Sequence, residues 1–130
     1  MSNQPIELIL CRQFADSLNI AVFLVDPTGD LLFYNAPAET ILGMRFSETG
    51  AMSVDEWSTV FKPTDKNGNL LPPDQIPLVE TLNNRVPAKG NLYIDNKKGE
   101  RVLISVSSFP IAGRSDNYVG AMALFWKSSL

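Results

Sequence analysis

Residues 89–126, KGNLYIDNKKGERVLISVSSFPIAGRSDNYVGAMALFW, decide the fold. Three runs rich in β-branched and aromatic residues, Asn91 to Ile94, Val102 to Val106 and Tyr118 to Phe125, are separated by turn chemistry. The turns are Asn96-Lys97-Lys98-Gly99 and Ala112-Gly113-Arg114-Ser115-Asp116-Asn117. That order predicts an antiparallel meander. Side chains alternate along a strand, so Val102, Ile104 and Val106 share one face of the middle strand, and Leu103, Ser105 and Ser107 share the other. The first face is wholly apolar and has to be enclosed.

Upstream, the near-continuous apolar run Ile20 to Asp26, the turn Pro27-Thr28-Gly29-Asp30 and the run Leu31 to Tyr34 predict a β-hairpin. Asn35 is placed to cap a short helix, with Pro37 in its first turn and Gly43 as its left-handed stop. Met44 to Pro73 is irregular and reads as ordered loop with at most short helical turns, folded back through Trp57, Val60 and Phe61. Asp74 is the expected cap of a helix running to about Arg85, with Ile76, Leu78, Val79 and Leu82 on its apolar side. At the start of the chain, Ile6, Leu10, Phe14 and Leu18 recur every fourth residue, with Ile9 beside them. This predicts an amphipathic helix over Pro5 to Leu18 that docks on the sheet around Leu103, Ser105 and Phe109, on a second subunit, or on both.

Composition narrows the chemistry. A chain of 130 residues, 45% hydrophobic, fits one domain with its own core. The absence of histidine removes the commonest general base and metal ligand, and with it any Ser/His/Asp or Cys/His nucleophile system. Cys11, the one cysteine, lies on the amphipathic helix and reads as a small buried or interfacial hydrophobe. Asp65-Lys66-Asn67-Gly68-Asn69 places oxygen ligands as a calcium loop would, but Leu70 and Ile76 occupy the positions where glycine and glutamate are needed. The carboxylates of Asp55 and Glu56 have no partner that would make them catalytic. A net charge of −3 opposes nucleic-acid binding, and no apolar run approaches the ~20 residues a membrane span needs. With no signal-like segment at Met1-Ser2-Asn3-Gln4-Pro5, a cytoplasmic location is expected, and no enzyme activity is.

In order and spacing these residues resemble a PAS domain of the bacterial sensor type. The likeness rests on Val22 to Gly29 leading into Tyr34-Asn35-Ala36-Pro37-Ala38-Glu39 and closing at Leu42-Gly43. Trp57, Phe61, Lys66-Asn67-Gly68, Leu71-Pro72-Pro73, Ile76-Pro77-Leu78, Gly99, Phe109-Pro110-Ile111 and Val119-Gly120-Ala121 continue it. The resemblance implies an α+β fold: a five-stranded antiparallel sheet with helices on one face, residues 18–127 as the PAS domain and residues 1–17 as an N-terminal cap helix that dimerises. It implies a sensory or regulatory module in signal transduction, acting on a small apolar ligand, a signalling protein partner, or both. The alternative is a constitutive dimerisation or scaffold module whose core is filled by its own side chains.

For a ligand cavity the resemblance directs Phe23, Val25, Leu92, Ile94, Val102, Ile104, Val106, Met122 and Leu124 toward the helical side, with Tyr34 and Ser108 as orienting polar groups. A filled core is the expectation for a domain of this size. Ile6, Ile9, Leu10 and Phe14 are the expected homodimer contacts. No cofactor is expected. The amides with which the flavin-binding LOV branch holds its ring align with Ile94, Ile104 and a position near Met122, and haem-binding members commonly use histidine.

Overall fold

The computed structural model describes residues 5–128, apart from the side chain of Asp116. Its centre is a sheet of five antiparallel strands in the order β2-β1-β5-β4-β3. In chain order these are β1 (Ala21–Val25), β2 (Leu31–Tyr34), β3 (Ala88–Asp95), β4 (Arg101–Ala112) and β5 (Tyr118–Lys127). The meander and the hairpin form as their turn residues dictate, with β3, β4 and β5 running further than their apolar runs alone suggest. The two halves meet where β1 pairs with β5, Phe23 opposite Ala123.

Among the described residues five α-helices surround the sheet: α1 (Ile6–Asp16), α2 (Ala36–Leu42), α3 (Phe46–Thr49), α4 (Val54–Phe61) and α5 (Pro77–Asn84). Asn35 caps α2 by accepting from the Ala38 N–H at 3.2 Å, and Gly43 closes it at φ +75°. The stretch expected to be mostly loop contains α4, a helix of two turns. Its start is a capping box in which the Ser53 hydroxyl accepts from the Glu56 N–H, and the Glu56 carboxylate accepts from the Ser53 N–H. Trp57 then anchors it by donating Nε1–H to the Gly29 carbonyl at 2.9 Å. The α5 expectation requires correction at its start. Asp74 lies in a 3-10 turn, Pro73–Gln75, and the helix begins at Pro77, where a missing N–H costs nothing.

The sheet is buried on both faces by different means. On the inner face α2, α4 and α5 enclose an aromatic-rich core containing Phe23, Tyr34, Trp57, Phe61 and Phe125. On the outer face α1 packs Leu8 and Ala15 against Val22, Leu24, Phe33, Ile111 and Met122, with Cys11 beside them. The helix therefore lies over β1, β2, the first part of β5 and the end of β4 at Ile111, not around Leu103, Ser105 and Phe109. Phe109 of β4 and Trp126 near the end of β5 remain 38% and 42% exposed. Each end of the sheet is met by a further bridge, Leu31 with Met52 and Tyr93 with Thr64, which occupies edge groups that would otherwise offer a template for another strand.

The start of β5 carries an irregularity in its pairing. The pairing of β4 with β5 slips between Ile111 and Ala112, so that Ile111 faces Gly120 and Ala112 faces Tyr118. Gly120 sits at φ +155°, and a Cβ there would collide with the Val25 carbonyl oxygen. Beyond the slip, Ala121, Ala123 and Phe125 enter the inner core, while Met122 and Leu124 join the α1 side.

Candidate functional site

The inner face holds a cavity of about 80 Å³. Its floor is the sheet: Phe23 of β1, Leu92 and Ile94 of β3, Ile104 and Val106 of β4, and Ala123 and Phe125 of β5. Its roof comes from the helical side, with Leu42 ending α2, Trp57 and Phe61 on α4, and Pro63, Ile76, Pro77 and Leu78 leading into α5. Every one of these side chains is apolar, so the cavity offers no side-chain group to satisfy water and would stay dry. Edge-to-face packing of Phe23 on Trp57, with centroids 5.4 Å apart, fixes one wall.

Two buried polar hubs flank the cavity. Thr81 Oγ1 and Ser108 Oγ lie 2.7 Å apart, and Ser108 also reaches the carbonyls of Pro77 at 3.1 Å and Ala88 at 3.3 Å, tying α5 to the sheet. The second hub is Asn35, 1% exposed. Its Oδ1 accepts from the Val22 N–H at 2.9 Å as well as from Ala38, and its Nδ2 donates to the carbonyls of Ala15 and Ile20, both at 2.9 Å. One amide thus joins the end of α1, the start of β1 and the start of α2, whose last residue Leu42 lines the cavity.

Over residues 19–127 the sequence matches the family model described as PAS domain. The chain belongs to the PAS domain family. Members of this family are generally sensory or signalling modules, and solved PAS structures share the fold. The PAS domain of a Colwellia psychrerythraea protein superposes with a TM-score of 0.65 at 17% identity, covering 94% of this chain and 97% of that one. The Rhodobacter sphaeroides LOV protein gives 0.74 at 15% identity, covering 95% of this chain and 68% of that one. The PAS domain of the fruit-fly ELK potassium channel gives 0.71 at 12% identity, covering 98% of this chain and all of that one, 100%. No curated protein matches.

The likeness to a LOV protein raises the question of flavin, and the cavity of this PAS domain does not fit it. A cavity of about 150 Å³ takes a single benzene, whereas a flavin ring is tricyclic; the space here is about 80 Å³. Ile94 and Ile104 line it where LOV amides would stand. The third such position, near Met122, is Ala123 on the cavity, while Met122 itself faces α1. Among the described residues no group of three His, Cys, Asp or Glu side chains could hold a metal ion, and no helix is long and apolar enough to cross a membrane.

Of the residues expected around a ligand, Phe23, Leu92, Ile94, Ile104 and Val106 come together on the cavity. Val25 and Tyr34 are buried in the same core but away from its wall, and Val102 is half-buried at its margin. Tyr34 donates its hydroxyl to the Met44 carbonyl at 2.9 Å, and burial pushes its phenol pKa up. Ser108 is committed to Thr81 and two carbonyls. Met122 and Leu124 lie on the opposite face, paired with Phe109 and Ser107 of β4. The roof was missed, and Ile76-Pro77-Leu78 was its legible sign: an apolar triplet at a helix start must bury somewhere. Cys11 is half-buried, and burial followed by the nearby Glu7 carboxylate raises its pKa, which keeps the thiol protonated and a poor nucleophile.

Proposed function

We propose that this PAS domain is a non-enzymatic, ligand-responsive regulatory module of a cytoplasmic signalling system, sensing a small apolar molecule in the inner cavity without flavin or haem. The observation that carries the reading is the cavity itself, an apolar void in an otherwise packed core. A ligand that fits one arrangement of α2, α4 and α5 better than another shifts the population toward it. Asn35 supports a route outward, because movement of α2 against β1 strains the same amide that holds the Ala15 carbonyl at the end of α1.

The output in this proposal is a homodimer or a signalling partner held on α1. Leu8, Cys11 and Ala15 face its own sheet, leaving Ile6, Ile9, Leu10 and Phe14 between 43% and 65% exposed. Four large apolar side chains on one short helix are what an interface uses. The small size of the cavity favours a second reading, constitutive dimerisation with no ligand.

Melting the purified full chain against a panel of small apolar compounds separates the two. Sensing predicts a saturable rise in Tm with at least one of them, and constitutive dimerisation predicts none. Light scattering on the same samples should report a dimer. A monomer at micromolar concentration would remove the α1 interface from the proposal.

A further inference from the structure

Pro63 and Ile76, two roof residues of the cavity, also line a second space of about 660 Å³ that opens to solvent between α4 and β3. The two spaces have these two lining residues in common, and both residues belong to chain junctions. Pro63 follows the left-handed C-cap Lys62, φ +44°, and Ile76 joins the 3-10 turn to α5. Their backbones are tied, the Pro63 carbonyl accepting from the Leu71 N–H at 3.0 Å and Ile76 donating to the Pro73 carbonyl at 3.2 Å, so passage between the two spaces is a matter of side-chain rotation at Ile76.

The outer groove differs chemically from the cavity. Its walls carry Lys62 and Arg101 against one carboxylate, Asp95, with the hydroxyls of Ser58, Thr59 and Thr64 and the apolar Leu70, 69% exposed, beside them. Arg101 is held in place there: its guanidinium stacks on the Tyr93 ring at 4.3 Å, and Nη2 donates to Thr64 Oγ1 at 3.1 Å and to the Asp65 carbonyl. Both hydrogen bonds leave from Nη2, so Nη1 and Nε donate to none of the described residues, although a guanidinium has five donors to place. A fixed guanidinium with donors to spare, lining the same groove as Lys62, is a receptor for a carboxylate, one that competes there with the carboxylates of Asp65 and Asp95.

We infer that cavity and groove form one bipartite site for a slender amphipathic carboxylate, its tail passing Pro63 and Ile76 into the cavity and its head held by Lys62 and Arg101. The inference rests on the proposed ligand-binding role of the cavity and adds the class of ligand. The cavity has room for about three groups the size of a water molecule, which selects short unbranched tails over rings. The apolar lining supplies tail affinity, and the head discriminates acids from alcohols.

The test compares hexanoate, 1-hexanol and acetate on the full chain, by methyl NMR titration and melting temperature, in wild type and in Lys62→Gln. Hexanoate should bind about tenfold tighter than hexanol, the contribution of one charge-assisted hydrogen bond, with shifts at the Ile94 and Ile104 methyls. Lys62→Gln should reduce that preference and leave hexanol affinity unchanged; the position is an exposed C-cap, so folding is retained. Equal affinity for acid and alcohol, or acetate binding as well as hexanoate, overturns the bipartite site while leaving an apolar cavity in place. Binding of neither hexanoate nor hexanol overturns it too, and xenon under pressure then decides the cavity reading separately: xenon bound at the Ile94 and Ile104 methyls upholds it, and no shift there ends both.

Discussion

The two faces of the sheet are built from the same strands and solve opposite problems. The inner face is covered from several directions by α2, α4 and α5, and its large aromatic side chains meet at angles that leave a dry void among them. The outer face is covered by one helix, over β1, β2, β5 and the end of β4, and its cluster is mostly aliphatic with Phe33 as its one buried aromatic ring among the described residues. Residues on neighbouring positions of one strand, such as Met122 and Ala123, therefore belong to different machines: one to a lid, the other to a chamber. Whatever signal this PAS domain handles has to pass between faces, and Asn35 is the buried polar group that touches both.

The largest test of this division is Gly120→Ala. A Cβ would strike the Val25 carbonyl and the backbone would be held at φ +155°, so β5 could not approach β1 as it does. Strain and overpacking together should cost roughly 2–5 kcal/mol, and chemical denaturation should show a largely unfolded protein or a much lower midpoint. A variant of near-native stability would mean that the approach of β5 to β1 does not depend on Gly120.

Ile104→Asn comes next. Ile104 is 5% exposed and lines a cavity without polar side chains, so the amide would be buried without partners, at roughly 1–3 kcal/mol in addition to lost packing. The variant should melt several degrees early. An unchanged Tm would show that water already enters the inner face.

Thr81→Val leaves Ser108 free to donate to Pro77 or Ala88 and removes one hydroxyl partner, a loss of about 1 kcal/mol in denaturant titrations. A loss above about 3 kcal/mol would make this hub more than a tie between α5 and the sheet. The smallest change in monomer stability belongs to Phe14→Ser, 57% exposed on the outward side of α1 and expected within about 0.5 kcal/mol. Yet it should weaken any dimer measurably by light scattering, which separates the two sides of this helix.

Much of this was written in the sequence because it is local. Turn residues placed the hairpin and the meander, and Asn35, Pro37 and Gly43 bounded α2 where the structure has it. The inner identity of Ile104 and Val106 followed from alternation. What escaped was non-local. The faces of β5 beyond Gly120 are set by its register with β4 and β1, pairings between distant segments that no local pattern encodes. The fourfold spacing Ile6, Leu10, Phe14 is the more conspicuous stripe of α1, yet Leu8, Cys11 and Ala15 make the intramolecular contact. Small residues at Cys11 and Ala15 let the helix approach closely, and small residues are quiet in a hydrophobicity pattern. Asn35 was readable as a cap; its second duty, holding Ala15 and Ile20, needed the fold.

The central claim is that the inner face of the sheet encloses a dry, penetrable void and the outer face does not. Methyl NMR of the full chain under xenon pressure reads both faces in one experiment. Saturable shifts should appear at Leu92, Ile94, Ile104 and Val106, with none at Leu8, Val22 and Leu24. Shifts at neither set, or at both equally, would contradict the account.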